Sequence, residues 1–171
     1  MKNLTLSIPY QSAQLSELSA EDQHLIHSAI EATANSYAHY SHFHVGAAVR
    51  LDNGREIIGA NQENAAFPSG LCGERTAIFA AQAQFPEHRI VALAVAAKNT
   101  EGLLKSPVTP CGQCRQVILE IEDRYKKPVR ILLYGTDRIL VFNTVRDILP
   151  FSFVEADMNG KKDDPEPTMY F

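Results

Sequence analysis

All three cysteines of the chain fall in two short phrases, Cys72-Gly73-Glu74 and Pro110-Cys111-Gly112-Gln113-Cys114. Each phrase stands where a helix should begin. The first precedes Arg75-Thr76-Ala77-Ile78-Phe79-Ala80-Ala81, and the second precedes Val117, Ile118 and Ile121 at helical spacing. A helix N-terminus offers free N–H groups and partial positive charge, which lower a thiol pKa toward the thiolate that a metal requires. Cys111 and Cys114 are about one helical turn apart and can converge on one ion. Cys72 must then close the set from a different helix. The fold has to bring two helix N-termini together.

Three sulfurs without a fourth cysteine have a chemical meaning. Structural zinc sites take four protein ligands, whereas catalytic ones keep one position for water or substrate. Glu74, two residues after Cys72, would stand beside such a metal without ligating it, where a carboxylate can accept a proton and pass it on. In the first turn of a helix a glutamate also reads as a surface residue favoured by helix electrostatics. Three thiolates on a divalent zinc leave one excess negative charge, so cationic compensation is expected. The helix dipoles supply part of it. Arg75 is the candidate for the rest and Arg115 a weaker one, although Arg75 reads equally as a solvated helix arginine. Cys111-x-x-Cys114 alone would fit a thiol–disulfide redox pair, which leaves Cys72-x-Glu74 unexplained. A structural zinc site completed by a histidine is the other alternative. None of His24, His27, His39, His42, His44 and His88 adjoins a cysteine phrase.

A chain of 171 residues fits one domain with an apolar core large enough to dispense with disulfides. The net charge of −4 provides no basic field for a polyanion, so a nucleic-acid partner is disfavoured. No apolar run reaches membrane-spanning length. The N-terminus lacks a signal-peptide core, and an odd number of cysteines without an export signal points to a reducing cytoplasm.

Leu4, Leu6 and Ile8 alternate with polar neighbours and predict a short edge strand within an N-terminal extension, residues 1–18. Ser19-Ala20-Glu21-Asp22 reads as a capping box opening a helix that presents Leu25, Ile26, Ala29, Ile30 and Thr33 on one face and ends near Tyr37. Val45 to Leu51 and Arg55 to Gly59 predict a hairpin through Asp52-Asn53-Gly54. Ile90 to Ala97 and Val129 to Tyr134 read as buried strands. Arg138 to Asn143 reads as a shorter strand, and Thr144 to Leu149 as a brief helix stopped by Pro150. The order α-β-β-α-β-α-β-β-α implies an α/β fold, one sheet between helical layers. The catalytic domain would span residues 19–153. A C-terminal extension, residues 154–171, carries the polar stretch Lys161-Lys162-Asp163-Asp164-Pro165-Glu166-Pro167.

Several phrases together make the chain resemble the cytidine deaminases of the small, homotetrameric, three-cysteine type. They are Phe43-His44-Val45-Gly46-Ala47-Ala48, Gly59-Ala60-Asn61-Gln62-Glu63-Asn64-Ala65, Cys72-Gly73-Glu74-Arg75-Thr76-Ala77, Thr109-Pro110-Cys111-Gly112-Gln113-Cys114-Arg115-Gln116 and Leu149-Pro150-Phe151-Ser152-Phe153. The resemblance implies a three-layer α/β/α sandwich with a central mixed sheet. It implies one zinc per subunit on Cys72, Cys111 and Cys114, with Glu74 as the proton shuttle. The reaction implied is hydrolytic deamination of cytidine, and of 2′-deoxycytidine, to the uracil nucleoside and ammonia in pyrimidine salvage. Asn61 and Glu63 would hydrogen-bond the ribose hydroxyls, Phe43 would pack on the pyrimidine, and Phe153 would reach a neighbouring subunit's site of a homotetramer. For both phenylalanines the alternative is plain core packing. Deamination of a cytosine-bearing aminoacylnucleoside antibiotic is the alternative substrate reading. The family usually has alanine where Gly73 stands, a small-for-small change expected to be tolerated.

Overall fold

The computed structural model describes residues 1–160. The sheet runs in the order β1-β7-β6-β4-β2-β3. Its strands are β1 (Gln11–Ala13), β2 (His44–Leu51), β3 (Glu56–Ala60), β4 (Ile90–Asn99), β5 (Gly102–Leu103), β6 (Arg130–Tyr134) and β7 (Ile139–Phe142), with the short β5 paired to β4. β4 and β6 are parallel and the other neighbours antiparallel, so the sheet is mixed. A parallel pair needs a crossover, which α3 (Gly112–Tyr125) makes between β4 and β6. The other helices are α1 (Ala20–Ala32), α2 (Gly73–Gln84) and the short α4 (Glu155–Met158).

Strand alternation builds the layers. Along β4, Ala92, Ala94 and Ala96 belong to the core shared with Leu25, Ile26 and Ala29 of α1. Leu93 and Val95 join Ala77, Ile78 and Ala81 of α2 and Ile118, Leu119 and Ile121 of α3. Successive side chains of a strand point to opposite faces, so one strand serves both cores. The α1 side is lined with alanines and Gly46, and the helix lies close: a Cβ at Gly46 would fall 2.1 Å from the Ala29 carbonyl oxygen. On the opposite face a Cβ at Gly59 would fall 2.2 Å from the Ala77 nitrogen of α2.

Ser19 caps α1, its hydroxyl accepting from the Asp22 N–H at 3.2 Å. The β2–β3 hairpin closes through Gly54 at φ 82, where the Gly54 N–H donates to the Leu51 carbonyl at 2.9 Å. That left-handed conformation is one that glycine adopts freely.

Three expectations shift. The edge strand is Gln11–Ala13 rather than Leu4 to Ile8, which are exposed and outside any strand. Pro9 has no N–H for a ladder, and pairing starts only beyond it, with Gln11 opposite Val141. The N-terminal extension therefore joins the sheet. Helix α1 ends at Ala32 and tightens into a 3₁₀ turn, Thr33–Asn35, where the Thr33 hydroxyl bonds back to the Ile30 carbonyl at 2.7 Å. The segment after β7 is a single 3₁₀ turn, Val145–Asp147, instead of a brief helix. The polar stretch 161–167 lies outside the described residues.

Candidate active site

The β3–α2 and β5–α3 connections deliver the cysteines. Cys72 is the N-cap of α2 and Cys111 the N-cap of α3. Cys114 lies in the first turn of α3, fully buried. Their sulfurs converge: Cys72 to Cys111 is 3.8 Å and Cys111 to Cys114 is 3.5 Å. All three lie within 4.8 Å of one another. Tetrahedral zinc with Zn–S bonds of about 2.3 Å requires ligand sulfurs roughly 3.8 Å apart, so the donor set fits that ion in type and spacing. Among the described residues no histidine, aspartate or glutamate joins this group. The three thiols are free of disulfides.

The cluster does not share its protons evenly. The Cys72 thiol is lowered to about 5, chiefly by a hydrogen bond from Cys114, with Arg75 and Cys111 contributing against the effect of burial. The Cys114 thiol is pushed up, first by its hydrogen bond to Cys72 and then by burial. Arg75 sits one turn beyond Cys72, its Nη2 3.9 Å from that sulfur and 3.4 Å from the Gly70 carbonyl. Arg115 is committed elsewhere, donating to the carbonyls of Pro110 at 2.8 Å and Ile148 at 2.7 Å and to the Thr109 hydroxyl at 3.1 Å. It ties loops together.

Glu74 is 4 % exposed. Burial pushes its carboxyl up, opposed by its own backbone N–H, while the Cys72 charge raises it further. An acid of this kind is suited to proton transfer rather than to display on a surface. Its neighbour Gly73 is pressed against β2, where an added Cβ would stand 2.9 Å from the Val45 carbonyl oxygen. An alanine here, the residue usual in the resembled family, would need this contact to open slightly.

Beside the cysteine cluster lies a pocket of 240 Å³ lined by Tyr40, Asn61, Gln62, Glu63, Asn64, Phe67, Gly70, Leu71 and Cys72. It gathers Asn61 and Glu63 next to Cys72. The Asn61 Oδ1 accepts from the Val45 N–H at 2.8 Å and its Nδ2 donates to the Phe43 carbonyl at 2.9 Å. Phe43 is half-buried at the base of this loop. Glu63 accepts from the backbone N–H groups of Tyr40 at 2.7 Å and Ser41 at 3.3 Å, and from the Ser41 hydroxyl. Its carboxyl is held below the usual range, first by the Ser41 hydroxyl and then by the Tyr40 amide. Phe153 does not line the pocket and is 58 % exposed, its carbonyl held by the Gln116 amide at 2.9 Å.

Sequence reasoning missed Tyr40, Ser41 and Phe67. Tyr40 and Phe67 meet edge to face with ring centroids 5.9 Å apart. Neither has a spacing signal, because loop geometry alone brings them together.

Residues 19–128 match the family model for the cytidine and deoxycytidylate deaminase zinc-binding region. The chain belongs to this deaminase family. It is 41% identical over 137 residues to a cytidine deaminase of Halalkalibacterium halodurans, covering 80% of this chain and 97% of that protein. It is 34% identical over 136 residues to a cytidine deaminase of Mycobacterium tuberculosis, covering 77% and 88% of the two chains. The crystal structure of a cytidine deaminase from Burkholderia pseudomallei superposes with a TM-score of 0.65 at 35% identity, over 76% of this chain and 97% of that one. The M. tuberculosis enzyme superposes with a TM-score of 0.62 at 29% identity, over 80% and 99%. The α/β sandwich and the zinc region are those of this deaminase family.

Proposed function

We propose that this chain hydrolyses the exocyclic amine of cytidine, and of 2′-deoxycytidine, to give the uracil nucleoside and ammonia. The observation that carries the reading is the buried Glu74 at the head of α2, immediately beside three convergent cysteine sulfurs. Zinc held by Cys72, Cys111 and Cys114 would supply the Lewis acidity that makes water a nucleophile near neutral pH.

The residues of the chain do the rest. Glu74 accepts a proton from the attacking water, delivers it to N3 of the ring as C4 becomes tetrahedral, and then assists proton transfer to the departing amine. Arg75 offsets the excess negative charge of three thiolates. Asn61 and Glu63 hold the sugar. A carboxylate has about four acceptor sites, and with three donors already on Glu63 one remains for a sugar hydroxyl. Asn61 likewise keeps one N–H and one lone pair beyond its two backbone bonds. Phe43 packs against the pyrimidine. Phe153 completes the site of a neighbouring subunit in a homotetramer, a role that its exposure supports.

The deciding experiment is ammonia release from cytidine by zinc-replete protein, with Glu74→Gln as the comparison. Turnover should fall by about 10²–10⁴-fold, the usual yield of positioned acid–base catalysis, while bound zinc stays at one per chain. Full turnover by Glu74→Gln would remove the proton shuttle from the scheme, and a parent inert toward cytidine would remove the substrate.

A further inference from the structure

The loop before β2 and the strand-end segment after β3 are sewn together by polar contacts. The Tyr37 N–H donates to the Asn61 carbonyl at 2.9 Å, and the Glu63 N–H returns to the Tyr37 carbonyl at 2.8 Å. One side chain in this seam has no role in the reading above. The Ser41 hydroxyl donates to Glu63 Oε1 and simultaneously accepts from the Phe43 N–H at 3.1 Å. Between them the backbone reverses through His42 at φ 54, a region sparsely used by residues other than glycine. Phe43 is thereby held at both ends, its N–H on Ser41 and its carbonyl on the Asn61 amide.

We propose that Ser41 is a positioning residue for sugar recognition, its hydroxyl fixing the Glu63 carboxylate while the Phe43 N–H fixes the hydroxyl, so that the sugar-binding group is set in advance. The inference rests on the reading that Glu63 meets the ribose. Its chemistry is direct. A hydroxyl has one proton to donate and lone pairs to accept with, so one Ser41 can serve an acceptor and a donor at once. With its proton on Oε1, and the Tyr40 and Ser41 amides on Oε2, both carboxylate oxygens are anchored and the plane of the group is set. A freely rotating carboxylate would lose part of its binding energy to ordering when a nucleoside arrived. Ser41 also contributes most to keeping Glu63 ionised, the form that accepts from a sugar hydroxyl.

The test uses zinc-replete Ser41→Ala, Ser41→Thr and Glu63→Gln enzymes. The readouts are kcat and KM for cytidine and the inhibition constant of 2′,3′-dideoxycytidine, which keeps the 5′ hydroxyl but lacks the 2′ and 3′ hydroxyls. Ser41→Ala should raise KM for cytidine by about tenfold, the scale of one hydrogen bond to a charged group, with kcat nearly unchanged. It should leave the dideoxynucleoside's inhibition constant unmoved, and Ser41→Thr should behave as the parent. If Ser41→Ala does not fold, Ser41→Cys, a weaker donor of similar volume, carries the same comparison. Weakened binding of both nucleosides would show general loosening of the loop and overturn the proposal. It is equally overturned if Ser41→Ala is silent while Glu63→Gln raises KM for cytidine alone. Glu63→Gln that preserves the preference for cytidine over its dideoxy analogue would instead overturn the underlying reading of Glu63, and the proposal with it.

Discussion

At the residue scale the chemistry centres on charge around three sulfurs. Arg75 approaches Cys72 from the first turn of α2, and its guanidinium is always cationic. Its Nε is buried without a hydrogen-bond partner among the described residues, so the side chain accepts a cost to stand there. Arg75→Gln should lower zinc affinity by about tenfold, at the low end of what loss of a supporting group costs a metal site, as read by competition with a chromogenic chelator. Unchanged affinity with full turnover would return Arg75 to the status of an ordinary helix arginine. Arg115, superficially its equal in sequence, is distinguished by its three loop contacts, and no spacing rule separates the two. Glu74 differs again. Its place two residues after Cys72 was legible because the distance is local, whereas its burial depends on β2 lying against Gly73.

At the element scale, the decisive contact is α2 on β3. Gly59 allows the helix backbone to approach until a Cβ would be 2.2 Å from the Ala77 nitrogen and 2.7 Å from the Gly73 carbonyl oxygen. Both neighbours are backbone, so no side-chain rotation relieves the clash. Gly59→Ala should cost about 3 kcal/mol, the upper part of the range for overpacking. A lowered urea midpoint would register it, and bound zinc should fall as well, since the displaced helix carries Cys72. An unaltered midpoint would mean that the close approach is dispensable. Most elements were legible from local pattern: Ile118 and Ile121 at helical spacing along α3, the apolar runs of β2 and β4, and the Asp52-Asn53-Gly54 turn of the hairpin. Where reading failed, at Leu4 to Ile8, the alternation was real, but it has no partner strand among the described residues. The pairing falls three residues beyond Ile8, at Gln11–Ala13. Periodicity reports which face a strand would bury, not whether a neighbouring strand is there to receive it.

For the whole molecule, no described helix is long and apolar enough to cross a membrane. Phe151 and Phe153 project beyond the last 3₁₀ turn at 88 % and 58 % exposure, with Phe151 held at φ 56. Aromatic rings left in water favour burial against another surface. If that surface is a neighbouring copy's active site, mass measurement in solution should give a tetramer. Phe153→Ala should then raise KM for cytidine by roughly tenfold, within the range for truncating an aromatic contact. A monomer with full activity would overturn the arrangement.

Local rules acting on the chain alone picked out three candidate zinc donors, a candidate proton-carrying glutamate and most of the strands and helices. Each depends on residues a few positions apart, and on whether a side chain is sulfur, carboxylate or hydrocarbon. Tertiary structure decided which arginine faces the cysteine cluster, that Gly73 packs tightly against the β2 backbone, and that Ser41 joins Glu63 to Phe43. Those outcomes depend on contacts between segments far apart in the chain: Arg115 with Ile148, Gly73 with Val45, and Ser41 with Glu63.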